Sequence, residues 1–288
     1  MQGTLPPEIS LLTVLKRLIL PDNAIRANIT TAFQGFTQLD TIVLTHNDLT
    51  GSLPVGLVTN NQQLGVLNLG NNQLAGTLPT ELTAAQQLSH LQLFQNGITG
   101  PIPEDIGSAT RLQLLDLSSN GLEGSIPQSL YNLSGLTALS LGGNGKLSGT
   151  IDTLIGQLTS LRRLNLGGTR LQGTIPDPIY LNLANLQQMR MSNANFSGPL
   201  KEELRLLNAT LAILELNNNS LTGSLPSALD YLTAMETMLL HDNLLVGMIS
   251  STVCSERGLG PGRLQQFYVD CNIECNCNDN PVCSRNDL

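Results

Sequence analysis

The sequence is poor in charge and in long apolar runs, and both shortages limit its partners. Charged residues make up 12% of the 288 residues and the formal net charge at pH 7 is −8, whereas about 25% of an average domain is charged. An excess of negative charge repels nucleic-acid phosphates and anionic bilayers, so neither is a predicted partner. No run of about 18 apolar residues occurs, and no membrane-spanning segment is therefore predicted in this chain.

Cysteine is missing from the first 253 residues and then appears five times in the tail. Such a cluster is typical of a disulfide-stapled cap, which covers the end of a repeat array and persists in oxidising compartments. A zinc site is the less favoured alternative, because the C-x3-C-x-C spacing lacks the C-x2-C pairs of structural zinc and no histidine is nearby. The odd number leaves one thiol free, paired with another chain or without its original partner. The disulfide candidates are Cys254, Cys271, Cys275, Cys277 and Cys283.

The most abundant feature is a repeated unit. Residues 112–130, LQLLDLSSNGLEGSIPQSL, match residues 88–106, LSHLQLFQNGITGPIPEDI, in the placing of leucine, asparagine, glycine and proline. A period of this length predicts a solenoid of stacked coils, since no single unit can bury its own leucines. The units begin at Leu15, Leu39, Leu64, Leu88, Leu112, Leu136, Leu161, Leu186, Leu211, Met235 and Leu264.

Each position of the consensus LxxLxLxxNxLxGxIPxxLxxL has a physical role. The L-x-L alternation predicts a short strand with one buried face. The asparagine can hydrogen-bond turn amides of its own and the neighbouring coil, and the glycine permits a backbone conformation or close approach that a side chain would block. The proline opens a short helical return. Thr169 and Ala194 replace the asparagine, and Asp152, Lys201 and Ser250 replace the proline, so local irregularity is expected there.

This consensus resembles the plant-type leucine-rich repeat, which adds LxGxIP to the general LxxLxLxxN core. The resemblance implies an α/β solenoid, a right-handed superhelix with a concave parallel sheet and short helical or 3-10 segments on its convex side. It divides the chain into a truncated repeat at 1–14, ten units of 24–25 residues at 15–253, and a last strand with a cysteine-rich cap at 254–288. The tail is similar to the C-terminal caps of secreted or cell-surface repeat proteins. Because the chain begins inside a repeat, without a signal peptide or capping segment, we expect a fragment; an uncapped cytosolic protein is the alternative.

The x positions around the strand leucines should point outward from the concave sheet. A polar sheet surface with single aromatic and charged groups is typical of a protein- or peptide-binding face. Arg190 and Glu215 lie one strand apart in one column, which favours a cross-strand pair over a ligand contact. The glycine pairs at 142–143 and 167–168 are interpreted first as turn geometry, and second as room for an extended ligand. The candidate ligand-binding residues are His90, Gln92, Phe94, Asp116, Arg163, Arg190, Glu215, His241 and Tyr268.

Catalysis is not predicted, and neither is a metal or cofactor. Glu215, His241 and Asp242 lie on adjacent coils, but no nucleophile with an orienting partner accompanies them and an open sheet does not exclude water. The three histidines fall on different coils, so a shared metal site is not expected. Five sequons could carry glycans if the chain is secreted, and the acceptor candidates are Asn28, Asn132, Asn195, Asn208 and Asn218.

The resemblance extends to receptor-like ectodomains and to inhibitors of secreted cell-wall glycanases. The first hypothesis is a non-catalytic extracellular or cell-surface module that binds a protein or peptide on its concave face, with a role in signalling. An inhibitor of a secreted cell-wall hydrolase and a cytosolic interaction scaffold without disulfides are the alternatives. The repeat consensus does not distinguish these three functions, because the residues that determine specificity occupy its x positions.

Overall fold

The computed structural model describes residues 2–33, 35–249, 266–270 and 273–275. It divides into two compact units, Met1–Ser148 and Gly149–Leu288. Cys254, Cys271, Cys277 and Cys283 lie outside the described residues, as do most residues of the predicted cap. The cap and the domain boundaries drawn from the sequence therefore stay predictions.

The L-x-L segments form three-residue parallel strands, and we call the sheet that they make in each unit the first sheet. The central residue of each strand is buried while its neighbours point outward, because side chains alternate along a strand. Unit 1 has the strands β2 (Arg17–Ile19), β4 (Thr41–Val43), β6 (Val66–Asn68), β8 (His90–Gln92), β10 (Leu114–Asp116) and β12 (Ala138–Ser140). Unit 2 has β14 (Arg163–Asn165), β16 (Gln188–Arg190), β18 (Ile213–Glu215), β20 (Thr237–Leu239) and β23 (Gln266–Tyr268).

The LxGx segments form a second parallel sheet in each unit. Its strands in unit 1 are β1 (Gln2–Thr4), β3 (Ala24–Asn28), β5 (Asp48–Gly51), β7 (Gln73–Thr77), β9 (Gly97–Pro101) and β11 (Gly121–Gly124), followed by β13 (Lys146–Thr150), which begins in unit 1. Unit 2 has β15 (Arg170–Thr174), β17 (Asn195–Gly198), β19 (Ser220–Ser224) and β21 (Leu244–Val246). A separate pair joins β22 (Met248–Ile249) to β24 (Glu274–Cys275).

Short helical segments return the chain to the first sheet. The α-helices are α1 (Ile29–Ala32), α2 (Val55–Thr59) and α3 (Asp177–Asn182). The 3-10 helices are Pro7–Leu11, Thr80–Ala84, Ile106–Ser108, Gln128–Asn132, Thr153–Gln157, Glu202–Leu207 and Ser227–Tyr231. Several start directly after a proline, as the IPxxL pattern predicts.

The expected irregularity at Asp152 does not occur. Its side chain caps the following 3-10 helix by accepting a 2.9 Å hydrogen bond from the backbone N–H of Leu154, so the carboxylate takes over the proline's place at the start of the helix. Lys201 likewise precedes a 3-10 helix and forms an ion pair with Asp177.

The core of each unit lies between its two sheets and its helical segments. The leucines of the repeat fill it, and Leu64, Leu112 and Leu164 are at most 1% exposed. The first coil is different, because Leu11 and Val14 are 74% and 81% exposed. In each unit the chain thus coils between parallel strands and short helices, and the predicted solenoid class is confirmed.

Candidate binding face

The outward side chains on and just after the first-sheet strands make one face in each unit, which we call the first-sheet face. Unit 1 places His90 and Gln92 on β8 and Asp116 on β10, with Phe94 just beyond the end of β8. Unit 2 places Arg163, Arg190, Glu215 and Tyr268 on β14, β16, β18 and β23, and His241 just beyond β20. All nine predicted residues therefore lie at first-sheet positions, in two separate groups.

In unit 1, Phe94 is held by a glycine on the neighbouring coil. A Cβ atom added to Gly70 would lie only 2.3 Å from the ring atom Cε1 of Phe94, so the ring occupies the space that a side chain at residue 70 would need. On the strands that precede these two residues, Asn68 donates a 3.0 Å hydrogen bond to Oε1 of Gln92 and accepts a 3.2 Å bond from the backbone N–H of Gly70. The aromatic ring is thus partly buried, next to a coil whose polar side chains are hydrogen-bonded.

Asp116 and His90 have their polar atoms directed by neighbouring serines. Oδ1 of Asp116 accepts hydrogen bonds from the backbone N–H and the hydroxyl of Ser118, at 3.1 and 2.6 Å. Nδ1 of His90 lies 2.8 Å from the hydroxyl of Ser89. The carboxylate carries the negative charge of this group, and an arriving ligand would meet it with its geometry already fixed.

In unit 2, the predicted pair between Arg190 and Glu215 is confirmed. Nε of Arg190 lies 3.0 Å from Oε1 of Glu215, and its Nη1 donates to Oε1 of Gln188 at 3.3 Å. The pair is partly exposed, with side-chain exposures of 39% and 25%, so it contributes little stability. Its main effect is to fix the direction of the guanidinium.

Arg163 lies opposite Gln188 in the parallel register of β14 and β16. Its side chain is exposed, and among the described residues no ion pair or hydrogen bond to it is found. Arg163 is therefore a cation of the unit 2 face that is available to a partner without breaking an internal contact.

At the far end of unit 2, His241 packs edge-to-face on Tyr268. Their ring centroids are 5.8 Å apart and the rings are inclined by 75°. Nε2 of His241 is 3.6 Å from Oδ2 of Asp242, while Nδ1 is buried and has no hydrogen-bond partner within the described ranges. The carboxylate of Asp270 accepts the backbone N–H groups of Asp242 and Asn243, so this end of the face is tied down by a side chain from the last strand.

The glycine pairs are explained by turn geometry at their second members. Gly143 and Gly168 have φ angles of 72° and 66°, in the same turn position where Ser119 and Asn193 both have φ of 55°. Gly167 is restricted for another reason, since a Cβ there would lie 2.8 Å from the backbone oxygen of Ser192. The first interpretation, turn geometry, is therefore confirmed for Gly143 and Gly168.

The five sequon asparagines are exposed and none lies on the first-sheet face. Asn28 accepts the backbone N–H of Thr30 at the start of α1, Asn132 and Asn208 end 3-10 segments, Asn195 begins β17, and Asn218 occupies a turn with φ of 55°. Within the described part of the chain, no cluster of three histidine, cysteine or acidic side chains could hold a metal, and no helix is long and apolar enough to cross a membrane.

Sequence reasoning missed two features. It included Phe94 among the candidates from its position alone, although the glycine at the same column one coil earlier, Gly70, indicated that the ring has space to pack there. It also gave no attention to the outward columns of the second sheet, where Arg26, Asp48 and Gln73 form a polar row.

Comparison with protein families supports the repeat assignment. A leucine-rich-repeat family model matches residues 110–171, and a second one matches residues 87–109 and 210–232. No curated protein sequence matches the chain significantly.

Solved structures of similar fold include two receptors and a bacterial protein. A TDR receptor is 28% identical to this chain, with a TM-score of 0.77. The match covers 96% of this chain and 49% of the receptor chain. The leucine-rich-repeat ectodomain of the Arabidopsis receptor kinase HAESA, in complex with an extended IDA peptide hormone, is 27% identical with coverages of 95% and 52% and a TM-score of 0.71. A leucine-rich-repeat protein of Leptospira interrogans is 25% identical, with coverages of 94% and 70% and a TM-score of 0.68. The chain thus spans about half the length of the two receptor structures.

Proposed function

We propose that this chain, whose repeats and similar structures are those of plant-type leucine-rich-repeat proteins, is a non-catalytic recognition module that binds a protein or peptide ligand on its first-sheet face. The face in unit 1 supplies a phenylalanine ring packed over Gly70, and the face in unit 2 supplies an exposed arginine. Aromatic residues and arginine are enriched at protein interfaces. The seating of Phe94 over Gly70 is the single observation that carries the proposal, since a held aromatic loses little conformational freedom on binding.

The proposal places the protein outside the cell, as part of a signalling receptor or a related secreted binder. The receptor ectodomains among the similar structures support this location. The proposed function does not include catalysis. The acidic and histidine side chains of the face are paired or stacked on an open sheet, whereas an enzyme needs an enclosed site to exclude water from the reaction.

Selection of random linear peptides displayed on phage against the immobilised protein tests this function. Enriched peptides should bind the wild-type protein in solution and lose about tenfold or more in affinity against Phe94→Ala or Arg163→Ala. The matched control is Thr222→Ala, an exposed residue of the second sheet, which should leave binding unchanged. Failure to enrich any peptide, or equal binding to all three variants, would overturn the proposal.

A further inference from the structure

A groove with a cavity volume of about 880 Å³ opens on the second sheet of unit 1, on a surface distinct from the first-sheet face. Strands β3, β5 and β7 contribute its polar side chains, and α1 and the segment 4–6 also line it. Its volume lies within the range typical of small-molecule sites.

A row of polar side chains crosses three successive strands in this groove. Nε of Arg26 is 3.5 Å from Oδ2 of Asp48, and Nε2 of Gln73 donates a 3.2 Å hydrogen bond to Oδ1 of the same carboxylate. The Arg26 side chain remains 79% exposed and that of Asp48 37% exposed. The row is therefore ordered before any ligand arrives, and its remaining donors and acceptors still face solvent.

Smaller polar groups complete the groove. Thr31 and Thr50 each donate their hydroxyl to a backbone oxygen, of Asn28 and Ala27 respectively, at 3.2 and 3.4 Å, so each hydroxyl oxygen keeps acceptor capacity. Asn28 is kept in the groove by Gly51, where a Cβ would lie 2.3 Å from Oδ1 of Asn28 and where φ is 91°. A side chain at residue 51 would push this amide away.

The chemistry of the groove selects its ligand. Guanidinium and amide donors alternate with carboxylate and hydroxyl acceptors, and one positive and one negative charge balance each other. Pairs of neighbouring hydroxyl groups match such a row, because each hydroxyl donates and accepts at once. An anionic ligand would meet the net charge of −8. We propose that this second-sheet groove binds a neutral, hydroxyl-rich ligand, namely an oligosaccharide.

The same unit contains a matched control. Glu123 and Lys146 pair in parallel register across β11 and β13, with Nζ of Lys146 4.0 Å from Oε2 of Glu123. Arg26 and Asp48 hold the same relation between β3 and β5, with the charges exchanged. Glu123 and Lys146 do not line the groove, so loss of their pair reproduces the charge change without touching the cavity.

Titration calorimetry of the whole chain with cellohexaose, mannohexaose and laminarihexaose tests the proposal, using protein shown by mass spectrometry to be unmodified at Asn28. At least one of these neutral oligosaccharides should bind, and Asp48→Ala and Gln73→Ala should each weaken it about tenfold or more. Glu123→Ala should bind like the wild type, and so should Phe94→Ala, whose defect would be confined to peptide binding. Thermal unfolding of each variant verifies that the fold is retained, and Asp48→Asn, which keeps the shape of the side chain, serves if the alanine variant unfolds.

Three results would overturn the inference: no heat with any of the three sugars at millimolar concentration, equal weakening by Glu123→Ala, or binding that ignores the groove variants. Binding of a hexapeptide of serine, threonine and glycine in place of the sugars, lost in Asp48→Ala, would overturn it as well, because it would assign the groove to an extended peptide.

Discussion

The two units differ most in the asparagine ladder of their turns. In unit 1 the ladder asparagines from Asn47 to Asn144 bond their own coil and the coil before it. Asn120, for example, donates to the backbone oxygens of Leu93 and Leu117 and accepts the N–H of Ile98 at 3.0 Å. Unit 2 begins with Thr169, whose hydroxyl donates at 2.8 Å to Leu166 of its own coil, and continues with Ala194, which has no polar side chain. The ladder resumes only at Asn219 and Asn243.

The strands of unit 2 nevertheless keep their register. Leu164 lies opposite Met189 and Met189 opposite Leu214, and all three side chains are at most 1% exposed. Burial of the strand residues therefore sets the fold, and the ladder adds stability to it. Unit 1 should hold its coils together more tightly than unit 2, and the following five substitutions test the comparison of the two units.

Asn120→Ala has the largest expected effect. The substitution leaves the backbone N–H of Ile98 without its side-chain partner, and an unsatisfied buried group costs about 1–3 kcal/mol. It also removes one of the two side-chain amides that donate to each of the oxygens of Leu93 and Leu117, at about 0.5–1.5 kcal/mol for each lost hydrogen bond. We expect the free energy of unfolding to fall by about 3 kcal/mol, measured by urea denaturation. The control Gln172→Ala, at an exposed position of unit 2, should change it by less than about 0.5 kcal/mol. Equal effects of the two variants would show that the ladder is dispensable in unit 1 too.

Gly167→Ala and Gly70→Ala compare the same column of the two first sheets. In unit 2 the new Cβ meets the backbone oxygen of Ser192 at 2.8 Å, whereas in unit 1 it meets the ring of Phe94, which can swing away. Gly167→Ala should therefore destabilise by about 2 kcal/mol, as overpacking does, and Gly70→Ala by less than about 1 kcal/mol.

Peptide binding should show the opposite order. Gly70→Ala removes the seat of Phe94 and should weaken a peptide selected on the unit 1 face, while Gly167→Ala should not. Urea denaturation and titration of the same peptide provide the two measurements. A Gly70→Ala variant with full peptide affinity would contradict the role given to the seated ring.

Ala194→Asn should make unit 2 more like unit 1. The residue before it, Asn193, has a φ of 55°, as Asn218 has before the ladder residue Asn219, so the backbone already suits an asparagine. The new amide would reach the N–H of Leu171 and the oxygen of Leu166, which now share the hydroxyl of Thr169. We expect a gain of about 1 kcal/mol in urea denaturation, and Ala194→Ser as a control should give no comparable gain. A loss of stability would mean that the local packing around residue 194 has no room for the amide.

The sequence predicts the backbone of this protein better than its side-chain arrangements. Strand register follows from the constant spacing of the leucines, and for that reason the pair between Arg190 and Glu215 could be predicted. The seat of Phe94 depends on which rotamer its ring adopts, and Gly70 decides that only through three-dimensional contact. The second-sheet groove depends on residues scattered over positions 4–73, whose convergence no single motif displays.

Tyr180→Phe gives the smallest expected effect, and its sign is the informative part. Tyr180 is 1% exposed, and its hydroxyl has no hydrogen-bond partner among the residues that the structure describes. Burial, and then the charges of Asp177 and Glu203, raise the pKa of Tyr180 above its usual range. Removing an unsatisfied buried hydroxyl should stabilise unit 2 by up to about 1 kcal/mol.

The raised pKa of Tyr180 adds a pH dependence to this prediction. The unfolded chain loses the proton first, near pH 10, so the wild type should lose stability as pH rises above that value and should retain it below. Urea denaturation at neutral pH and at about pH 10.5 should therefore show a larger advantage of Tyr180→Phe at the higher pH. Tyr268→Phe controls for the loss of a phenol hydroxyl, because Tyr268 belongs to the same unit and is 40% exposed. An advantage that stays constant with pH would mean that Tyr180 reaches solvent easily enough to ionise in the folded protein, and unit 2 would then open more readily than its buried core indicates.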